Sequence, residues 1–133
     1  MLSQLWKLKT NVDSGQFDAI QLAAARVLGV EGDAHVAHMR DVYRRRRDLV
    51  IDALGAAGLD VTPPRGTIYV WVPVPQGHTS VSFAELVLQQ ADVVVSPGSA
   101  YGPNGEGFFR ISLTVPDERL LEAVQRMRAS LGG

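Results

Sequence analysis

The stretch from Val94 to Thr114 constrains the fold of this chain more than any other feature. It places a glycine-rich loop between two short runs of β-forming residues, which predicts two strands joined by a long turn. Alternate residues of the second run are apolar, namely Phe109, Ile111, Leu113 and Val115. A strand with this period of two buries one face, so Arg110 is expected to point away from the apolar layer, beside Ser112 and Thr114.

Arg110 is the first candidate functional residue. A guanidinium held on a rigid strand beside a glycine-rich loop is well placed to bind a carboxylate through two parallel hydrogen bonds. Taken without further context, a solvated or ion-paired surface arginine is the plainer interpretation. The loop glycines, each typical of an ordinary turn with positive φ, are Gly98, Gly102, Gly105 and Gly107.

The composition of the chain excludes several classes of protein. Its 133 residues are 46% hydrophobic and 20% charged, which suits one globular domain with a packed core. The formal charge of −1 gives no overall attraction to nucleic acid. The chain has no cysteine, and its histidines lack the spacing of a known metal motif: His35, His38 and His78. No apolar run approaches a membrane span or a signal sequence, so we expect a cytoplasmic protein.

The periodicity of apolar residues predicts four helices and four strands. The predicted helices are 14–29, capped by Asp13 or Ser14, then 33–57 capped by Asp33, then 82–91 capped by Ser82, and one beginning at Asp117. The predicted strands are 59–62, 68–74, 93–95 and 108–114. This order predicts an α+β fold, a two-layer sandwich of a small mixed or antiparallel sheet with helices on one face. An N-terminal helical segment, within the first 32 residues, is expected to precede the sandwich. This segment fits the sandwich less well, and its apolar residues look suited to packing on another surface: Leu2, Leu5, Trp6 and Leu8.

Two further groups of side chains admit more than one interpretation. The run Arg44–Arg47 would be an unusual patch for nucleic acid, but on a helix it spreads over every face. Pairs four residues apart, Asp41 with Arg45 and Arg44 with Asp48, favour a solvated, ion-paired run. On the polar face of the sheet, Tyr69 and Trp71 either line a pocket or merely cover the surface.

Four spaced motifs together resemble the C-terminal part of the class I and II aminotransferases, pyridoxal-phosphate enzymes of fold type I. The resemblance runs from about residue 4 to residue 131. The motifs are Lys9-Thr10-Asn11-Val12-Asp13-Ser14-Gly15, the segment Gly66 to Pro75, the segment Ser96-Pro97-Gly98 to Tyr101-Gly102, and the segment Gly105 to Leu113. The first motif is most similar to the LL-diaminopimelate aminotransferase branch.

The resemblance implies specific roles for parts of this chain. Arg110 corresponds to the arginine that binds the α-carboxylate of amino acid and 2-oxo acid substrates. Residues 33–133 correspond to the small domain, and residues 1–32 to the edge of a large domain that carries the cofactor. The complete enzyme is expected to be a homodimer in which residues 9–16 run near the partner's active site.

The chain departs from the family pattern at the catalytic lysine. The family places the lysine that forms a Schiff base with pyridoxal phosphate in a Ser-x-x-Lys segment upstream of all the motifs found here, and neither Lys7 nor Lys9 has that context. We therefore expect no catalytic, cofactor-binding or metal-binding residue within this chain, and an inactive fragment that does not hold the cofactor stably. The alternatives are a stand-alone amino-acid-binding or regulatory module that uses Arg110, and a nucleic-acid-binding protein that uses the arginine run.

Overall fold

The structure, a computed structural model, describes residues 1–13 and 15–131. The backbone forms two compact units, one ending at Arg40 and the other beginning at Asp41. None of the helices in these described ranges is long and apolar enough to cross a lipid bilayer. The division into residues 1–32 and 33–133 refers to the domains of a complete enzyme and stays a prediction.

Two helices precede the long helix of the chain. Helix α1 spans Leu2–Val12 and was not predicted, whereas the predicted helix 14–29 is found as α2, Asp18–Val27. Asp13 does not cap α2 but follows the end of α1, where its carboxylate pairs with Lys9. Ser14, the other proposed cap, lies outside the described residues. Neither α1 nor α2 has a buried residue.

Helix α3 spans Val30–Ala56, so the prediction that Asp33 caps it is wrong. The chain turns from α2 into α3 within two residues, and the first turn of α3 is already helical when it reaches Asp33. Gly32 permits this tight corner, since a Cβ there would lie 1.9 Å from the carbonyl oxygen of Val27. The end of α3 lies one residue before the predicted end.

The sheet has three antiparallel strands rather than four. Strands β1 (Tyr69–Pro73), β2 (Ser96–Pro97) and β3 (Phe108–Ser112) lie in the order β1-β3-β2, with β3 in the centre. The predicted strand 59–62 is wrong, since these residues have no ladder partner and lead into Pro63 and Pro64. The predicted strand 93–95 is also wrong, since pairing with β3 begins only at Ser96, after a left-handed turn at Asp92 (φ 54°) has ended the preceding helix.

Two helices cover one face of the sheet. Helix α4 spans Ser80–Ala91, and helix α5 spans Asp117–Leu131 and begins where predicted. The predicted cap of α4 is wrong by three residues: Thr79 is the N-cap, and Ser82 is its partner in a reciprocal capping box. The C-terminal part of α3 contributes Val50 and Leu54 to the same core, whose other large, fully buried apolar side chains are Phe109, Leu113, Met127, Val70, Val72 and Val87.

The alternation of the strands is confirmed on both faces of the sheet. Val70, Val72 and Phe109 are fully buried, while Trp71 is 38% exposed and Tyr69 and Arg110 are partly exposed. The predicted α+β fold, with a small antiparallel sheet and helices on one face, is therefore confirmed. The opposite face carries the side chains from which a site is built.

Candidate functional site

Arg110 occupies the middle of the central strand. It lies opposite Trp71 of β1 on one side and opposite Ser96 of β2 on the other. Its sequence neighbours on the strand, Phe109 and Ile111, point into the core. The backbone of Arg110 is therefore held on both sides, and its side chain starts from a fixed point on the polar face, as the sequence predicted.

Two tyrosine rings flank the Arg110 guanidinium. Its central carbon, Cζ, lies 4.0 Å from the ring centroid of Tyr69 and 4.2 Å from that of Tyr101. Tyr69 belongs to β1 and Tyr101 follows β2, so the rings approach from the two sides of β3. Trp71 packs edge to face on Tyr101, with centroids 5.5 Å apart. The guanidinium thus sits between two aromatic faces, an arrangement in which the ring quadrupoles attract the cation.

One nitrogen of this guanidinium is both buried and unpartnered. Nε of Arg110 has no hydrogen-bond acceptor among the described residues, although almost none of its surface is exposed. A buried donor left without a partner costs about 1–3 kcal/mol, and more when it is charged. The Nε donor is therefore unsatisfied within the part of the chain that the structure describes.

The loop before β3 is folded into two short 3₁₀ turns, Gly98–Tyr101 and Pro103–Gly105. Gly98 and Gly105 lie in close backbone contact: a Cβ on Gly98 would lie 2.0 Å from the carbonyl oxygen of Gly105. Gly102 and Gly107 instead have positive φ, 109° and 83°. Two of the four glycines are thus ordinary turn glycines, and two are required by close packing, which the sequence did not distinguish.

A buried serine fastens this loop to the start of α4. The Ser80 backbone N–H donates to Oε1 of Glu106 over 2.7 Å, and its hydroxyl lies 2.8 Å from Oε2. The Ser80 and Ser99 hydroxyl oxygens are 2.9 Å apart, and the Ser99 N–H donates to Ser80 Oγ over 3.3 Å. These donors, first the backbone and then the hydroxyl of Ser80, then the Gly107 N–H, lower the pKa of Glu106.

Two of these aromatic residues, Trp71 and Tyr101, also line a shallow cleft. A shallow hollow of about 370 Å³ is lined by Trp71, Tyr101, Asn104, Gly105 and Phe108. The two alternatives for Tyr69 and Trp71 are thereby separated: Tyr69 packs on Arg110, and Trp71 lines this cleft. Sequence reasoning missed Tyr101, Ser80 and Glu106, because their contacts join segments that are far apart in the sequence.

The Arg44–Arg47 run is largely engaged by its own surroundings. Asp41 pairs with Arg44 rather than with Arg45, and Asp48 pairs with Arg47 rather than with Arg44. Both aspartates therefore form ion pairs within the run, but each pairs with a different arginine from the one predicted.

Arg46 has a structural role that the sequence did not suggest. Its side chain is only 16% exposed, and it binds the Leu113 carbonyl oxygen and the Asp117 carboxylate. It ties α3 to the turn between β3 and α5. This arginine is therefore part of the packing rather than of a surface patch.

The lysines and histidines do not add to the site. Lys9 is exposed on α1 and pairs with Asp13 over 2.9 Å, and Lys7 is exposed on the same helix. Within the described ranges, no three His, Cys, Asp or Glu side chains come together as metal ligands, and His35 and His38 are exposed.

Comparison with known proteins gives the family of the chain. The statistical model of the family described as aminotransferase class I and II matches residues 1–127. The chain is 52% identical over 128 residues to the LL-diaminopimelate aminotransferase of Desulforudis audaxviator, and 44% identical over 132 residues to that of Moorella thermoacetica. These matches cover 96% and 99% of this chain but only 32% and 34% of the relatives. The chain thus spans about a third of the length of the relatives it matches.

A solved structure gives the same result. The L,L-diaminopimelate aminotransferase of Chlamydomonas reinhardtii superposes with a TM-score of 0.84 at 29% identity, over 95% of this chain and 31% of that chain. The resemblance inferred from the four motifs is therefore confirmed, as is its similarity to the LL-diaminopimelate aminotransferases. This chain belongs to the class I and II aminotransferase family.

Proposed function

We propose that this chain supplies the substrate-carboxylate site of an aminotransferase, with Arg110 binding the α-carboxylate. The observation that carries the proposal is the Arg110 guanidinium, fixed on the central strand between two rings with an unpartnered donor. An amino acid and a 2-oxo acid share an α-carboxylate that amino-group transfer leaves intact. A guanidinium that binds this group therefore orients both substrates in the same way.

The proposal extends to the complete enzyme. Pyridoxal phosphate would be held there by a Schiff-base lysine outside this chain, and when bound it supplies the electron sink for amino-group transfer. Residues 33–133 would form the small domain, and residues 1–32 would lie at the edge of the large domain. We also propose that the complete enzyme is a cytoplasmic homodimer. The relatives' names make LL-diaminopimelate the first substrate to test.

Binding of a simple dicarboxylate tests the role of Arg110. Succinate is titrated into the ¹⁵N-labelled chain, and the arginine Nε–Hε resonances are followed by NMR, which detects weak binding. The Arg110 resonance is expected to shift with saturation. The response should vanish in Arg110→Ala and persist in Arg126→Ala, the matched loss of an exposed arginine on α5 that pairs with Glu122.

The titration also separates the proposal from the alternative module. A diamine without carboxylates, such as cadaverine, should give no response at Arg110. Binding that needs both the amino and the carboxylate group, with an affinity far above that of succinate, would favour a regulatory amino-acid sensor. No succinate response in the wild-type chain would contradict the proposed function.

A further inference from the structure

The contacts of two tyrosine rings with Arg110 suggest a role for residues other than the arginine itself. The rings of Tyr69 and Tyr101 lie 4.0 Å and 4.2 Å from the guanidinium carbon, closer than is needed for a favourable cation–π contact. Elsewhere in the same unit, Arg46 lies 5.8 Å from the ring of Tyr43. The Arg110 side chain is therefore enclosed far more tightly than its partly exposed position on the sheet requires.

The rings and a carboxylate use different parts of the guanidinium. Aromatic faces attract the cation from above and below its plane, whereas the N–H donors point outward within that plane. A carboxylate offers two oxygen atoms in one plane, which matches two neighbouring N–H groups. Both kinds of contact are therefore satisfied at once, and the rings direct an anion toward the edge of the guanidinium.

The rings change affinity through confinement rather than through direct attraction. The rings contact Arg110 in the ligand-free chain, and to the extent that they keep this contact when a ligand binds, their attraction for the cation cancels between the two states. Two other effects remain: the side chain has less rotational freedom to lose on binding, and less water screens its charge. Both effects favour a planar ligand at the edge of the guanidinium.

The outer ring is itself fixed in place. Tyr101 ends the first 3₁₀ turn, which begins at Gly98 in contact with the backbone of Gly105. Ser99, two residues earlier, is bonded to the buried Ser80 at the start of α4. Tyr69 needs no such support because it lies on β1, directly paired with the central strand. Each ring thus has a rigid base.

We propose that Tyr69 and Tyr101 are positioning residues for carboxylate binding: they confine the Arg110 guanidinium so that the site prefers flat, two-oxygen anions to spherical ones. This inference rests on the proposed function of Arg110 and adds to it the residues that set its selectivity. Neither tyrosine needs its hydroxyl group for this role. A phenylalanine at either position should therefore still confine the guanidinium, whereas a leucine should not.

The test uses the full chain with acetate and chloride as probes. The arginine Nε–Hε resonances are recorded for the wild type and for the variants Tyr101→Leu, Tyr101→Phe, Tyr69→Leu and Tyr69→Phe. In the wild type, the Arg110 resonance should be displaced by the ring currents of two aromatic rings and should respond to acetate more strongly than to chloride.

The leucine variants should reduce that displacement and, because the Arg110 side chain regains rotational freedom, weaken acetate binding by roughly threefold to thirtyfold, with a smaller loss for chloride. The phenylalanine variants should restore both the displacement and the preference for acetate. Tyr43→Leu is the matched control, because it removes a tyrosine that faces Arg46 instead, and it should leave the Arg110 response unchanged. Amide spectra of each variant establish that it is folded.

The outcomes distinguish this inference from the function on which it rests. A folded Tyr101→Leu chain that binds acetate as the wild type does, with the same preference over chloride, would overturn the positioning role alone. A wild-type resonance without ring-current displacement would overturn it as well. A displaced resonance that responds to neither acetate nor succinate would contradict the proposed function, and the positioning role with it.

Discussion

The Arg110 side chain has properties that a lysine in its place would lack. Its guanidinium is flat and carries several donors in one plane, and both the ring contacts and a two-oxygen ligand depend on that flatness. Arg110→Lys keeps the positive charge but is expected to lose about tenfold or more in succinate affinity. Titration followed through the amide resonances of β3 measures the loss. An affinity equal to that of the wild type would show that charge alone suffices.

Gly98 is expected to be intolerant of even the smallest side chain. A Cβ there would meet two carbonyl oxygens, at 2.0 Å from Gly105 and 2.5 Å from Phe108, so the loop would have to move. Gly98→Ala should lower the free energy of unfolding by about 1–3 kcal/mol, as overpacking does. Urea denaturation measures this change.

Gly66→Ala is the control for the glycine substitution. No heavy atom lies within 4 Å of a Cβ at Gly66, and its φ is not positive. The free energy of unfolding of the Gly66→Ala variant should equal that of the wild type or be slightly higher, because alanine restricts the unfolded chain. Equal losses at both glycines would contradict the packing account.

The direction of the Arg110 side chain was predictable from sequence, but most of its contacts were not. The period of two in the sequence is enough to place the Arg110 side chain on the other face of the strand from Phe109 and Ile111. The same period places Tyr69 on its face, yet only the register β1-β3 brings the two together. Tyr101 was beyond prediction, since its position depends on a 3₁₀ turn held by backbone contacts between distant residues.

The start of α4 and the loop before β3 behave as one structural unit. Thr79 and Ser82 satisfy each other's backbone donors. The Ser80 N–H, which the capping box does not satisfy, donates to the Glu106 carboxylate. The negative charge also lies at the positive end of the helix dipole. The loop that carries Tyr101 is thus anchored to a helix on the other layer of the fold.

This anchor predicts how stability depends on acid pH. The pKa of Glu106 is lower in the folded chain than in the unfolded chain, so its contribution to stability is complete above the unfolded value of about 4.5 and is lost as pH falls through the folded value. Glu106→Gln should therefore flatten the decline of the free energy of unfolding in this acid range. Urea denaturation at a series of pH values measures it.

Glu85→Gln is the matched control for this experiment. It removes one exposed carboxylate from α4, the helix to which the Glu106 carboxylate is bonded, without touching the anchor. The acid decline of this variant should follow that of the wild type. If Glu106→Gln also follows the wild type, the anchor does not contribute through its charge.

Helices were easier to predict than strands, for a physical reason. The amphipathic pattern of α5 is local, so its first residue, Asp117, was predicted correctly. A strand exists only when a partner lies beside it. Residues 59–62 have a strand-like composition but no partner, and β2 is reduced to the two residues that face β3.

The first unit of the molecule exposes an unusual number of large apolar side chains. On α1 these include Leu2 at 83% exposure, Leu5 and Leu8 at 62%, and Trp6 at 70%. Such a surface costs free energy in water and favours association. We expect the chain by itself to form oligomers at micromolar concentration.

A double variant tests this association. Leu5→Glu with Leu8→Glu should shift the chain toward the monomer in size-exclusion chromatography with light scattering. Val94→Glu removes an apolar side chain of the second unit that is 83% exposed, and it should leave the oligomers unchanged. A wild-type chain that is monomeric at every concentration would contradict the prediction.

The central claim is that Arg110 serves the substrate carboxylate of an aminotransferase. The chain spans about a third of the length of its relatives, so the most direct measurement inserts it into a complete relative. In the enzyme of Desulforudis audaxviator, the matching 128 residues are replaced by those of this chain. The chimera and its Arg110→Ala variant are compared for amino transfer from LL-diaminopimelate, with cofactor loading measured by absorbance.

We predict an active chimera whose kcat/KM falls by roughly 100-fold or more on Arg110→Ala, while cofactor loading is unchanged. An Arg110→Ala chimera that is folded, loaded with cofactor and as active as its parent would contradict the account.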